Sequence, residues 1–134
     1  MRNIKNSDSV KFNLLDIQIS LYLFEEDEKV VIYSPTLKLQ AYGDTEEETL
    51  KLFTSKLHLF ILEVHNLGRF SEVFEDLGWK VFKSGLAIEL DPPSMTELKN
   101  TDVRFNEILS TKKFKRLKRI LELRTFPEWN IYLN

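Results

Sequence analysis

The side chains of this 134-residue chain that could do chemistry are its carboxylates and two histidines, because it has no cysteine. Asp16 and Glu48 are the acids to consider as magnesium ligands for phosphodiester cleavage, one in an alternating strand pattern and the other in a first helical turn. A two-metal centre needs several converging carboxylates. The other acids crowd instead into Glu25, Glu26, Asp27 and Glu28 and into Asp44, Glu46 and Glu47, where a hairpin turn and a helix start give them ordinary electrostatic roles. Asp16 alternates with Gln18 and Ser20, as an exposed strand residue does. His58 and His65 share a helix face, but at about 1.5 Å rise per residue their backbones stand about 10 Å apart, too far for an ordinary shared zinc site. No serine or threonine sits in a recognisable nucleophile setting, and there is no Gly-rich phosphate cradle. We therefore expect no catalytic residue, no metal ligand, no cofactor and no enzymatic activity, metal-dependent nuclease activity included.

The elements that position these groups follow from periodicity. From Phe12 to Phe24 the residues Leu15, Ile17, Ile19, Leu21 and Leu23 alternate with Asp16, Gln18, Ser20 and Tyr22, the pattern of a strand with one buried face. After the acidic cluster, Lys29 to Tyr33 forms a second strand, and Leu37, Leu39 and Ala41 continue into a third, with Pro35 marking the turn between them. Gly43 then leads into a helix that Asp44 or Thr45 can cap, with Glu47 or Glu48 three residues on. That helix should run from about Thr45 to Leu67 and end at Gly68. At about 100° per residue, Leu50, Phe53, Leu57, Phe60, Ile61 and Val64 face the sheet while Leu52 and Leu59 lie opposite. Such a far-side pair invites cover by another element or a second copy, so Leu52 and Leu59 are the expected interface of a homodimer.

Beyond Gly68, Arg69 to Leu77 reads as a short helix, and Trp79 to Phe82 and Leu86 to Leu90 as a second hairpin divided by Ser84-Gly85. Ser94 can cap a helix with Glu97 three residues later, and Asn106 to Leu109 suits another turn or two. The segment from 111 to 126 fits both helix and strand, and a strand from about Arg119 to Phe126, ended by Pro127, is expected. The expected fold is α+β, a mainly antiparallel sheet of a three-stranded meander plus further strands, packed by one long helix. It forms a single domain over residues 1–134, with 94–134 as a C-terminal extension packed on it.

The run YSPTLKLQAYGDTEEET resembles the middle of HicB-like antitoxins, where a Pro-x-Leu step, a short second strand and a Gly-Asp-Thr-x-Glu-Glu helix start follow at this spacing. The similarity is closest to a compact variant and continues through Leu77-Gly78-Trp79-Lys80, Pro92-Pro93 and Leu121-Glu122-Leu123, so it spans Val10 to Pro127. Thr49 stands where the family usually has alanine, and Ala41 where glycine is frequent. No ribbon-helix-helix or helix-turn-helix module is legible downstream. The resemblance implies a partial RNase H-like fold and the neutralisation of a small HicA-like ribonuclease toxin, of a fold related to double-stranded RNA-binding domains, by protein-protein contact.

Charge distribution places that contact. The net charge is −2, yet Leu98 to Arg124 holds nine basic residues against Asp102, Glu107 and Glu122, a local +6 that leaves −8 on the rest. A basic ribonuclease should be drawn to Glu25, Glu26, Asp27, Glu28, Asp44, Glu46 and Glu47. The alternative function is a stand-alone nucleic-acid-binding or regulatory module that uses Lys112, Lys113, Lys115, Arg116, Lys118 and Arg119. With no signal-peptide-like start, no apolar stretch near the roughly 20 residues of a membrane span, and no cysteine, a cytoplasmic location without a membrane partner is expected.

Overall fold

The computed structural model describes residues 16–67, 69–84 and 87–122, beginning with the alternating strand on which the other elements are built. Strand β1 (Asp16–Glu26) turns at Asp27 and Glu28 into β2 (Lys29–Ser34), and a second turn at residues 35–38 leads into β3 (Leu39–Gly43). Helix α1 (Glu46–Leu67) follows, then α2 (Phe70–Asp76) and the strands β4 (Lys80–Ser84) and β5 (Ala87–Asp91). Helices α3 (Met95–Thr101) and α4 (Val103–Thr111) precede β6 (Lys115–Glu122). The main sheet is antiparallel with strand order β3-β2-β1-β6, while β4 and β5 form a separate hairpin. The protein is thus α+β, with the three-stranded meander and long helix that the alternation predicts.

Local chemistry explains the boundaries. Thr45 caps α1, its hydroxyl accepting from the Glu48 amide at 3.1 Å, and the Glu48 carboxylate accepts from the Asp44 amide at 2.6 Å. Gly43 is needed because a Cβ there would stand 2.8 Å from both the Glu48 carboxylate and the Thr49 hydroxyl. Ser94 and Glu97 form the expected capping box of α3, and the Asp102 carboxylate caps α4 by accepting from the Phe105 amide.

Both faces of the sheet are buried, which corrects the expectation of one. Ile19, Leu21, Ile32 and Ala41 pack against Phe53, Leu57, Ile61 and Val64 of α1, and Phe70, Phe74 and Trp79 extend that core. On the other face Tyr22, Phe24, Val31 and Tyr33 pack against Leu98, Phe105 and Ile108 of α3 and α4. Tyr22 alternates outward with Gln18 and Ser20, yet it is buried because α4 lies over that end of the sheet, with the Phe105 ring 5.0 Å from the tyrosine ring. The segment Asn106 to Leu109, expected to hold a turn or two, is part of the nine-residue α4.

Strand β6 begins at Lys115, four residues before the Arg119 expected, and is described as far as Glu122. Its register sets Lys115 opposite Leu23, Leu117 opposite Leu21 and Arg119 opposite Ile19. An edge strand can carry Lys and Arg at core-facing positions because their stems cover apolar surface while their charges reach water, so apolar alternation is a poor guide there. The expected starts at Phe12 and Leu15, the helix closure at Gly68, the Gly85 turn, and Leu123 to Pro127 lie outside the described residues.

Candidate functional site

The acidic hairpin turn, the start of α1 and the first residues of β6 meet at one end of the sheet. Pairing of Glu26 with Lys29 and of Val30 with Gly43 brings the first two together, and pairing of Leu23 with Lys115 brings in the third. The acids and the basic run that the sequence separates therefore share one rim.

They partly neutralise each other there. The Arg104 guanidinium donates to both Glu26 carboxylate oxygens at 2.9 Å, and the Lys112 ammonium approaches the same carboxylate at 3.0 Å. These contacts, Arg104 first, hold the Glu26 carboxyl down at about 2 against an ordinary value of 4.5. Arg104 also donates to Gln40 and Glu107 and lies 5.2 Å over the Phe24 ring. Lys29 pairs with Asp44, and Lys115 with Glu46. Glu25, Asp27, Glu28 and Glu47 are exposed and make no ion pair among the described residues. Of the seven acids proposed for partner contact, Glu26 is thus engaged by α4 and its C-terminal flank, two are paired across the rim, and four make no ion pair among the described residues.

The basic run is split by strand alternation. Lys115 and Arg119 lie on the α1 side, where the Arg119 guanidinium donates to the Thr54 hydroxyl at 2.6 Å. Arg116 and Lys118, opposite Tyr22 and Ser20, lie on the other side and are exposed. Lys113 is exposed beside Phe114, and Lys112 belongs to the Glu26 cluster.

A buried polar cluster was not foreseen. The Tyr33 hydroxyl donates to the Asp102 carboxylate at 2.7 Å, and the Lys38 ammonium approaches the same oxygen at 3.4 Å. Asp102 is only 6% exposed. Burial first, then the hydrogen bond to Asp102, pushes the Tyr33 phenol well above its ordinary range. The partners are 69 and 64 residues apart in sequence, so the only local signal was Asp102 three residues before Phe105, the spacing of a helix cap.

Among the described residues no group of three or more His, Cys, Asp or Glu side chains could hold a metal ion. Glu48 is taken up in the helix cap, and the side chains of Asp16 and His65 lie outside the described residues. Leu52 and Leu59 are 45% and 59% exposed on the outer face of α1. No helix among the described residues is long and apolar enough to cross a membrane. The chain matches no family model, no curated protein and no solved structure.

Proposed function

We propose that this chain is a HicB-like antitoxin with a partial RNase H-like fold, which binds and occludes a small basic ribonuclease without chemistry of its own. The observation that carries the reading is the cluster of exposed acids Glu25, Asp27, Glu28 and Glu47, unpaired among the described residues and held at one end of the sheet. Its meander and capped helix also match the segment order behind the resemblance. A cationic active surface is steered to such a rim and covered by it. In the same proposal the protein works in the cytoplasm as a homodimer, with Leu52 and Leu59 on α1 as the self-association face.

The test is calorimetric titration of the protein with a small basic ribonuclease encoded beside it, together with an RNA-cleavage assay. Reversing Glu25, Asp27, Glu28 and Glu47 to lysine should abolish binding and inhibition while leaving the fold intact. Retained inhibition by that variant would remove the acidic rim from the interface. The second reading, a nucleic-acid-binding module, is favoured by Arg116 and Lys118, exposed on one side of β6 without an ion pair among the described residues. Preferential binding of RNA or DNA over the ribonuclease would establish it.

A further inference from the structure

Strand β6 pairs with β1 alone among the described residues, and none of these takes up the donors and acceptors on the other side of its backbone in a strand ladder. Beside that edge, on the α1 side, lies a groove of about 540 Å³ lined by Glu47, Leu50, Lys51, Thr54, Ser55 and Arg119. Half-buried Leu117 packs into the adjoining core, so the groove occupies the place where inward side chains of another strand would go. On the opposite side Arg116 and Lys118 present two cations without ion pairs among the described residues.

These observations select one occupant. A second copy of β6 would set Lys115, Arg116, Lys118 and Arg119 against an identical row, and like charges across a strand pair repel. An acidic strand meets the opposite situation on the Arg116 and Lys118 side, while the groove on the α1 side exposes mainly apolar surface and so suits apolar side chains. We propose that β6 is a docking edge for an extended acidic segment of a partner protein. That segment adds as a fifth strand whose side chains alternate, apolar into the α1 groove and carboxylate toward Arg116 and Lys118. The surface shares only Glu47 with the acidic rim, so substitutions at Arg116 and Lys118 test it separately from the rim.

The probe is a fluorescent peptide of about eight residues alternating glutamate with valine or leucine, titrated into the full-length protein at low and high salt. It should bind about tenfold more tightly than a scrambled peptide of equal composition, because only alternation satisfies both sides of the edge. N-methylation of every second peptide amide, on the edge needed for pairing, should lose the binding at unchanged charge. Hydrogen exchange should slow at amides of Lys115–Glu122 when the peptide is bound. Arg116→Glu with Lys118→Glu should weaken binding about tenfold or more, an effect that high salt reduces. Equal binding of the scrambled or N-methylated peptide would overturn the proposal, as would unchanged exchange in β6. Tighter binding of single-stranded RNA, lost on the same double substitution, would assign the edge to nucleic acid instead.

Discussion

The two faces of the main sheet are held in different ways. On the α1 face the contacts are apolar almost throughout, from Ile19, Leu21 and Ile32 to Phe53, Leu57 and Ile61, with the Thr49 hydroxyl reaching the Val30 carbonyl as a polar tie. On the α3 and α4 face a similar aromatic core is bordered by Tyr33, Asp102 and Lys38 and by Glu26, Arg104 and Lys112. Burial is non-directional and holds α1 wherever its apolar stripe meets the sheet. Hydrogen bonds are directional, so the polar clusters fix how α4 sits. Charged residues that look like surface in the sequence are therefore drawn into part-buried clusters on the α3 and α4 face, whereas on the α1 face Lys56, Lys115 and Arg119 bond only at the margin of the core.

The largest effect should come from the apolar cores. Phe53 and Phe105 are each fully buried, one on each face, and truncating either to alanine should cost about 3–5 kcal/mol. Urea denaturation would measure both. A loss well under that range for Phe105→Ala alone would mean that α3 and α4 are held mainly by their polar contacts.

Next is Asp102, whose carboxylate receives the Tyr33 hydroxyl, the Lys38 ammonium and the Phe105 amide. Asp102→Ala should cost about 2–3 kcal/mol, because it removes a helix cap and leaves Tyr33 without its acceptor. Asp102→Asn keeps the cap and should recover part of the loss. On the α1 face Thr49→Ala should cost only about 1 kcal/mol, the worth of the one hydroxyl proton that Thr49 shares between the Thr45 and Val30 carbonyls. Equal losses at Asp102 and Thr49 would remove the distinction between the faces.

How much of this was legible in the sequence follows the same division. Ile19, Leu21 and the α1 stripe from Phe53 to Val64 announced their face through spacing, since period 2 and period 3.6 are local properties of the chain. Tyr22 and Phe24 belong to the outward register of β1 and became core only because α4 lies over them, a contact made by residues more than 80 positions away. Glu26 was read as one of four equivalent acids in a turn. Its distinct role depends on Arg104, 78 residues further on, and no local pattern separates it from Glu25. The acids of the candidate site were legible as a group; which of them remain free was not.

Glu26 gives that distinction a pH signature. Its folded carboxyl is depressed to about 2 from 4.5, so its contribution is fully present above pH 4.5 and is lost as pH falls through about 2. Glu26→Gln should cost about 1–2 kcal/mol at neutral pH, and the gap from the unmodified protein should narrow across that acidic window. Denaturant midpoints of the two proteins from pH 7 to pH 2 would show it. A gap independent of pH would mean that the Arg104 and Lys112 contacts do not favour the ionised form.

The smallest effect, and the only one of opposite sign, lies outside both cores. Asp27 and Glu28 join β1 to β2 with φ of 52° and 65°, left-handed at both positions, as a two-residue hairpin turn of this twist requires. A left-handed conformation costs a residue with a Cβ about 1–2 kcal/mol, whereas glycine adopts it freely but loses about 0.5–1 kcal/mol through its larger unfolded-state entropy. Glu28→Gly should therefore stabilise the protein by about 0.5 kcal/mol and raise its Tm by about 1–3 °C. Glu28 is exposed and makes no ion pair among the described residues, so no lost contact opposes the gain. Scanning calorimetry at neutral pH would resolve the shift. A lower Tm would mean that the Glu28 side chain contributes to the rim as Glu26 does, and the contrast between engaged and free acids would have to be redrawn at that position.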